Sequence, residues 1–177
     1  VPMTIMTVIF DLFRHNGINV KNGELAGIQT GDFTQFKDFE ELFAAWEKQF
    51  KYCVSVVGER NNVELKVTQE VLPDPLRSAL MYNGIESGKD IWCRHDIPFD
   101  NTASVCTIGM VNVGDSLAAI KKLCFDEKKY TLKELYDALE ADWVGYEDMR
   151  KDFLDAPKFG NNDPYVDEIV ARCYKMF

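Results

Sequence analysis

The stretch Asn101-Thr-Ala-Ser-Val-Cys-Thr-Ile-Gly-Met-Val-Asn-Val-Gly-Asp-Ser-Leu-Ala-Ala-Ile-Lys-Lys-Leu123 changes character half-way along. Its first half is small and β-branched (Thr102, Val105, Thr107, Ile108, Val111, Val113), a composition that suits a buried strand. Gly114 breaks the run. Asp115 or Ser116 can cap a helix by accepting a bond from a free N–H two or three residues on. Leu117, Ile120 and Cys124 then recur at helical spacing. The pattern predicts a buried strand over 102–111, a tight turn and a helix over 115–125. Such a unit is either one βα element of a core or the wall of a ligand site, because ligands of α/β proteins gather at the carboxyl ends of strands.

On the amino-terminal side, Ile5, Ile9, Leu12 and Phe13 fall on one face of a helix over 4–15 that stops at Asn16-Gly17. Residues 17–34 lack periodicity and predict a long loop, either functional or packed over a larger body. Its glycines make no phosphate cradle, since neither a Gly-Lys-Ser/Thr ending nor a preceding strand accompanies them. Asp38 with Glu41 forms a capping box. Phe39, Leu42, Phe43, Trp46, Phe50 and Cys53 then make a core-facing stripe. The helical pattern resumes with Val63, Val67 and Val71, so two helices are expected, 38–57 and 63–72, with a bend near Gly58 to Asn62. Asp74-Pro75 opens a helix over 75–87 with Leu76, Leu80 and Ile85 inward.

On the carboxyl-terminal side, Thr131 and Glu134 form another capping box, opening a helix over 131–143 with Leu132, Leu135, Leu139 and Trp143 inward. A short amphipathic helix follows over 146–154. Asp163-Pro164 starts the last, 164–177, with Val166, Ile169, Val170, Cys173 and Phe177 on one side.

With 177 residues, 46% of them hydrophobic, the chain can bury a sizeable core as one domain or part of one. It begins Val-Pro and ends on an unfinished apolar face, so a segment of a larger domain is expected. The net charge of −9, with no basic run longer than two residues, disfavours nucleic acid or an anionic membrane as partner. No apolar run approaches the ~20 residues of a membrane span. Five irregularly spaced cysteines fit reduced thiols of a cytoplasmic protein.

Candidate chemistry is sparse. Cys93-Arg-His95-Asp96 places a thiol, an imidazole and a carboxylate together, but it lacks the second paired motif of a zinc site. These are expected to be ordinary loop residues. Cys106, in mid-strand, is expected to behave as a small buried hydrophobe. His15 suits a charge–dipole contact at a helix C-terminus. Asp126, Glu127, Asp137, Glu140, Asp148, Asp152 and Asp155 fall on polar helix faces and predict solvated surface. No catalytic set and no metal site is complete.

Several stretches together resemble the glycyl radical enzymes, the pyruvate formate-lyase-like family. They are Met110–Leu123, Asp155-Ala-Pro-Lys-Phe-Gly-Asn-Asn-Asp-Pro-Tyr-Val-Asp167, Leu76-Arg-Ser-Ala-Leu80 with Glu86-Ser-Gly-Lys-Asp90, and Thr30-Gly-Asp-Phe-Thr-Gln-Phe-Lys-Asp-Phe-Glu-Glu41. They lie in family order. The resemblance implies a helix-rich α/β fold, part of a ten-stranded α/β barrel. Such enzymes store a radical on a backbone glycine and pass it to a cysteine thiol that abstracts hydrogen from substrate. The Gly-Cys-Val-Glu and Arg-Val-x-Gly-Tyr motifs that carry those residues are not in this sequence. No catalytic residue is therefore carried over, and the chain is expected to be inactive alone.

The resemblance does imply a substrate-facing strand at 99–107, with Phe99, Thr102, Ala103 and Val105 as substrate contacts. Arg94-His-Asp-Ile-Pro-Phe-Asp100 stands where dehydratase and lyase members show a Gly-Gly-x-x-Tyr-Asn-like approach. With Asp142-Trp-Val-Gly-Tyr-Glu-Asp-Met-Arg-Lys151, this looks most like the benzylsuccinate and alkylsuccinate synthases, which add a hydrocarbon to fumarate. The alternatives are an arylacetate decarboxylase, a diol- or choline-type dehydratase or lyase, and a non-catalytic helical module that binds a protein partner. Implied partners are the rest of the catalytic chain, a radical SAM activating enzyme, small accessory subunits, a homodimer partner and a small-molecule substrate. The only implied cofactor is the parent enzyme's glycyl radical.

Overall fold

The computed structural model describes residues 3–93 and 106–176. In order the elements are β1 (Met3–Ile5), α1 (Met6–Arg14), a 3-10 turn (Phe33–Gln35), α2 (Phe39–Val71), α3 (Pro75–Leu80), α4 (Gly84–Ser87), a second 3-10 turn (Ile91–Cys93), β2 (Cys106–Ile108), α5 (Met110–Ile120), a π-helical turn (Lys121–Asp126), α6 (Leu132–Glu140), α7 (Glu147–Asp155) and α8 (Pro164–Lys175). β1 and β2 pair as a two-stranded sheet. The chain falls into two compact units, one of residues 1–4 and 54–107, the other of 5–53 and 108–177.

The larger unit owes its core to amphipathic helices. α1 buries Met6, Ile9 and Phe13, α2 buries Phe39, Leu42, Phe43, Trp46 and Phe50, and α8 buries Val166, Ile169, Val170 and Cys173. Trp46 is fully enclosed, with ring centroids 5.4 Å from Phe10, 6.1 Å from Phe13 and 5.9 Å from Phe50. The segment 17–34 is held at Gly17, Gly27 and Phe33, which are buried, while most of 18–26 is exposed. Phe33 is buried against Phe13, and the enclosed Gln49 amide accepts from the Ile28 N–H at 3.1 Å. A buried amide that lost this partner would cost about 1–3 kcal/mol. Gln49→Leu should therefore destabilise by that order and free the loop, which hydrogen exchange at Ile28 would report.

The helix starts follow local sequence. Asp38 accepts from Glu41 N at 2.8 Å, Asp74 from Arg77 N at 3.0 Å and Asp163 from Tyr165 N at 3.0 Å. The Thr131/Glu134 box is complete in both directions.

Several expectations need correction. β2 ends at Ile108 and α5 begins at Met110, so Val111 and Val113 are helical. Gly109, at φ +86°, turns the chain and caps α5. Burial of Met110 and Val113 outweighs the weak strand preference of β-branched residues. The described strand is also not buried, since Cys106 and Ile108 are exposed.

α2 is one helix of 33 residues without a break at Gly58; a single interior glycine costs only ~1 kcal/mol. The 75–87 stretch is two short helices, hinged where Asn83 takes φ +57°. Leu76, Leu80 and Ile85 are exposed there, as are Val63, Val67 and Val71 on α2. Ile5, finally, belongs to β1 and is half exposed.

Candidate functional site

Phe99, Thr102, Ala103 and Val105 lie outside the described residues, as do Arg94, His95 and Asp96. The described residues on either side are polar hubs and strand, with no catalytic constellation. In the smaller unit, Asp90 closes the Glu86–Asp90 segment by taking N–H bonds from Asp74 at 2.8 Å and Trp92 at 3.0 Å and the Ser78 hydroxyl at 3.2 Å. Desolvation opposes its charge, yet these donors hold its carboxyl below the ordinary range. Ser78 is buried and accepts from the Ile91 N–H at 2.8 Å. Leu76–Leu80 and Glu86–Asp90 thus carry structure in the described part of this unit.

In the larger unit, Met110–Leu123 and Asp155–Asp167 bind each other. Asp115 does not cap α5. Its carboxylate accepts from the Phe159 N–H at 2.9 Å. Gly114 lies inside α5, where a Cβ would fall 2.5 Å from Val170 Cγ2 and 3.3 Å from Val170 Cα. The absence of a side chain lets α5 and α8 touch.

Beyond Ile120 the helix widens into a π turn, with the Glu127 N–H bonded to the Lys122 carbonyl at 2.8 Å. This i,i+5 spacing aligns Lys121 with Asp126 (2.8 Å) and Lys122 with Glu127 (3.8 Å). The Tyr165 hydroxyl donates to the same Asp126 oxygen at 2.7 Å, and the Lys121 amine lies 4.5 Å from the Tyr165 ring centroid. Lys121, ahead of burial and Tyr165, keeps Asp126 below the usual carboxyl range, while burial and Asp126 raise the Tyr165 phenol.

A depressed carboxyl stabilises the fold above its unfolded value and loses that contribution as pH falls through the folded one. Asp126→Asn should therefore be destabilising at pH 7. The difference should close below about pH 4, near the ordinary carboxyl range. Acid titration of Tm for both proteins measures it.

A cleft of about 640 Å³ lies between α1, α5, α6 and α7 in the larger unit. Phe10, Trp143 and Phe153 face it, with Asp11, Arg14, Asp115, Arg150 and Lys158 as charged groups. Trp143 enters from a turn in which Asp142 and Trp143 both hold positive φ, +48° and +64°. Such backbone costs of order 1–3 kcal/mol per residue. Trp143 rests on the Phe153 ring at 5.9 Å.

All five cysteines are free thiols. Cys106 is exposed instead of buried, because it opens β2 at the surface and is not its middle residue. Burial pushes the Cys124 thiol up to about 12 and Cys173 up to about 11, which leaves both protonated at neutral pH. Among the described residues no three or more His, Cys, Asp or Glu side chains cluster as a metal site. No helix among them is long and apolar enough to cross a membrane. The helix-face carboxylates are surface groups, yet Asp126, Glu127, Asp137, Glu140 and Asp152 hold basic partners.

The described residues thus form a helix-rich α/β scaffold. The chain belongs to the pyruvate formate lyase-like family, which it matches over residues 3–177. It is 35% identical over 170 residues to the trans-4-hydroxy-L-proline dehydratase of Clostridioides difficile, covering 96% of this chain and 21% of that protein. It is 35% identical over 168 residues to the isethionate sulfite-lyase of Bilophila wadsworthia (strain 3_1_6), covering 94% of this chain and 20% of that one.

The solved structure of the Clostridioides difficile hydroxyproline dehydratase with trans-4-hydroxy-L-proline bound superposes with a TM-score of 0.81 at 32% identity. The match covers 98% of this chain and 22% of that one. The chain therefore spans about a fifth of the length of the relatives it matches. The helix-rich α/β architecture is that of a glycyl radical enzyme segment, as expected. These relatives are a dehydratase and a sulfite-lyase, not the hydrocarbon–fumarate synthases the 94–105 stretch favoured.

Proposed function

We propose that this chain is the scaffold segment of a glycyl radical lyase that eliminates water, sulfite or a comparable group from a small functionalised substrate. The observation that carries this reading is the 35% identity to a dehydratase and to a sulfite-lyase across nearly the whole chain. It replaces hydrocarbon addition to fumarate, which rests on the Arg94–Asp100 approach, the Asp142–Lys151 stretch and the apolar character of Phe99, Ala103 and Val105.

In this reading the chain supplies no radical-bearing residue. Phe99, Thr102, Ala103 and Val105 wall the substrate, exclude water and hold a C–H bond toward a thiol contributed by sequence outside residues 1–177. A radical SAM enzyme installs the glycyl radical, and a second catalytic chain or small accessory subunits complete the assembly.

The test is anaerobic turnover by the activated full-length parent, offered trans-4-hydroxy-L-proline, isethionate, and toluene with fumarate in separate reactions. Elimination product from a hydroxylated or sulfonated compound, with fumarate untouched, is the expected result. Fumarate consumption with toluene and no elimination would overturn it. Ala103→Phe in the same parent should lower kcat/KM at least tenfold for the bulkiest accepted substrate and less for the smallest, since a pocket methylene is worth ~1–3 kcal/mol. Equal effects on both would remove Ala103 from the substrate wall.

A further inference from the structure

The cleft walled by α1, α5, α6 and α7 carries five charged side chains, and four of them are already bound. Asp11 pairs with Arg14 at 2.8 Å, and Arg14 also pairs with Glu140 at 2.6 Å. Asp115 accepts from the Phe159 N–H at 2.9 Å. The Lys158 amine donates to the Phe153 and Ala156 carbonyls at 3.2 and 2.6 Å. Arg150 is the exception. Among the described residues its guanidinium has no hydrogen bond, ion pair or ring contact.

The surface around Arg150 is apolar. Phe10, Trp143 and Phe153 turn half-buried rings to the cleft. Trp143 reaches it from a turn in which it and Asp142 both take left-handed backbone. A bulky residue keeps that conformation only where its surroundings fix it. The apolar surface continues over the rim to Leu154, 58% exposed, and to Val144, 75% exposed in a hollow shared with Trp143 and Arg150. A small molecule sized to the cleft would leave both side chains in water, whereas a stretch of polypeptide covers them. A guanidinium set among aromatic rings calls for a carboxylate, which it binds through two parallel N–H···O bonds. This chain covers 21% and 20% of two of its relatives, so about four-fifths of their length lies outside the matched segment.

We propose that the cleft seats a segment of the parent chain from outside residues 1–177, which lays an apolar side chain between Phe10, Trp143 and Phe153 and brings an Asp or Glu carboxylate to Arg150. That seat rests on the reading of this chain as a segment of a larger catalytic subunit, and it is independent of which group the subunit eliminates. The substrate trials above can therefore fail without touching it.

The experiment uses the full-length parent without activation. Phenylglyoxal, which modifies free guanidinium groups, should react with Arg150 of the native wild-type parent at least tenfold more slowly than after denaturation, read by peptide mass spectrometry. Equal rates would overturn the seat, and this measurement needs no variant to fold.

The occupant is identified with Arg150→Lys and a carbodiimide, which joins an amine to a carboxylate in direct contact with it. Wild type treated in the same way is the control. The variant should gain one amide cross-link from the new amine to an Asp or Glu outside residues 1–177, in a product that still runs as a single chain under denaturing conditions. A cross-link to a second copy, to an accessory subunit or to a carboxylate within residues 1–177 would refute the proposal, as would the absence of any new cross-link.

Discussion

Gly114→Val should lower the stability of the chain by ~1–3 kcal/mol, the usual cost of forcing extra carbons into a packed contact. A Cβ at this position meets Val170 Cγ2 at 2.5 Å and Val170 Cα at 3.3 Å. The methyl group could turn away only by leaving the rotamer that a valine in a helix strongly prefers. The backbone contact cannot turn at all, so α5 and α8 must separate. Gly114→Ala makes the sign informative. In an exposed helix that change is worth ~1 kcal/mol of stabilisation, whereas here it should destabilise. Adding Val170→Ala should recover part of the loss. Urea unfolding of the two single variants and the pair would show this as non-additivity. A stabilising Gly114→Ala would mean that the helices are not in contact at this point.

Trp46→Ala should cost more, ~3–5 kcal/mol, the range for removing a large buried aromatic side chain. Trp46 lies in the ring cluster of Phe10, Phe13 and Phe50. The variant leaves a cavity at the meeting of α1, α2 and α8. Thermal unfolding should fall by roughly 2–4 °C for each kcal/mol in a chain of this length. Trp46→Phe, which keeps most of the apolar volume, should lose distinctly less.

These predictions depend on contacts between residues far apart in sequence, which the chain's periodicities do not display. Gly114 reads along the sequence as a break before a helix, with Asp115 or Ser116 as its cap. In the fold it is a helix-interior contact, and Asp115 reaches forward to Phe159. The π turn was equally hidden, since Lys121-Lys-Leu-Cys-Phe-Asp126 has nothing in its composition to mark it. Its i,i+5 ion pairs follow from the π spacing, and the Tyr165 bond comes from α8. The His15–Glu140 contact was half legible. Its position at a helix end was visible, but not the Glu140 carboxylate 125 residues away.

The sequence by itself determined what depends on neighbours a turn or less apart. That covers the caps at Asp38, Asp74, Thr131 and Asp163, the burial of Ile9 and Phe13 on α1 and of Leu132 and Leu135 on α6, the buried face of α8, and the core stripe from Phe39 to Phe50, but not Trp143, which the helical pattern over 131–143 put inside a helix and which lies in the turn after α6. It also determined the family, because several separate stretches in a fixed order are hard to meet by chance. Only the tertiary structure decided where β2 yields to α5, that α2 runs unbroken past Gly58, that Leu76 and Leu80 stay exposed, and that loop 17–34 is anchored by Gln49. The physical reason is one of range. A cap is a hydrogen bond across two or three residues, so local sequence suffices to specify it. A helix boundary or an exposed face is set by burial against distant partners, and that burial outweighs propensities of a few tenths of a kcal/mol per residue.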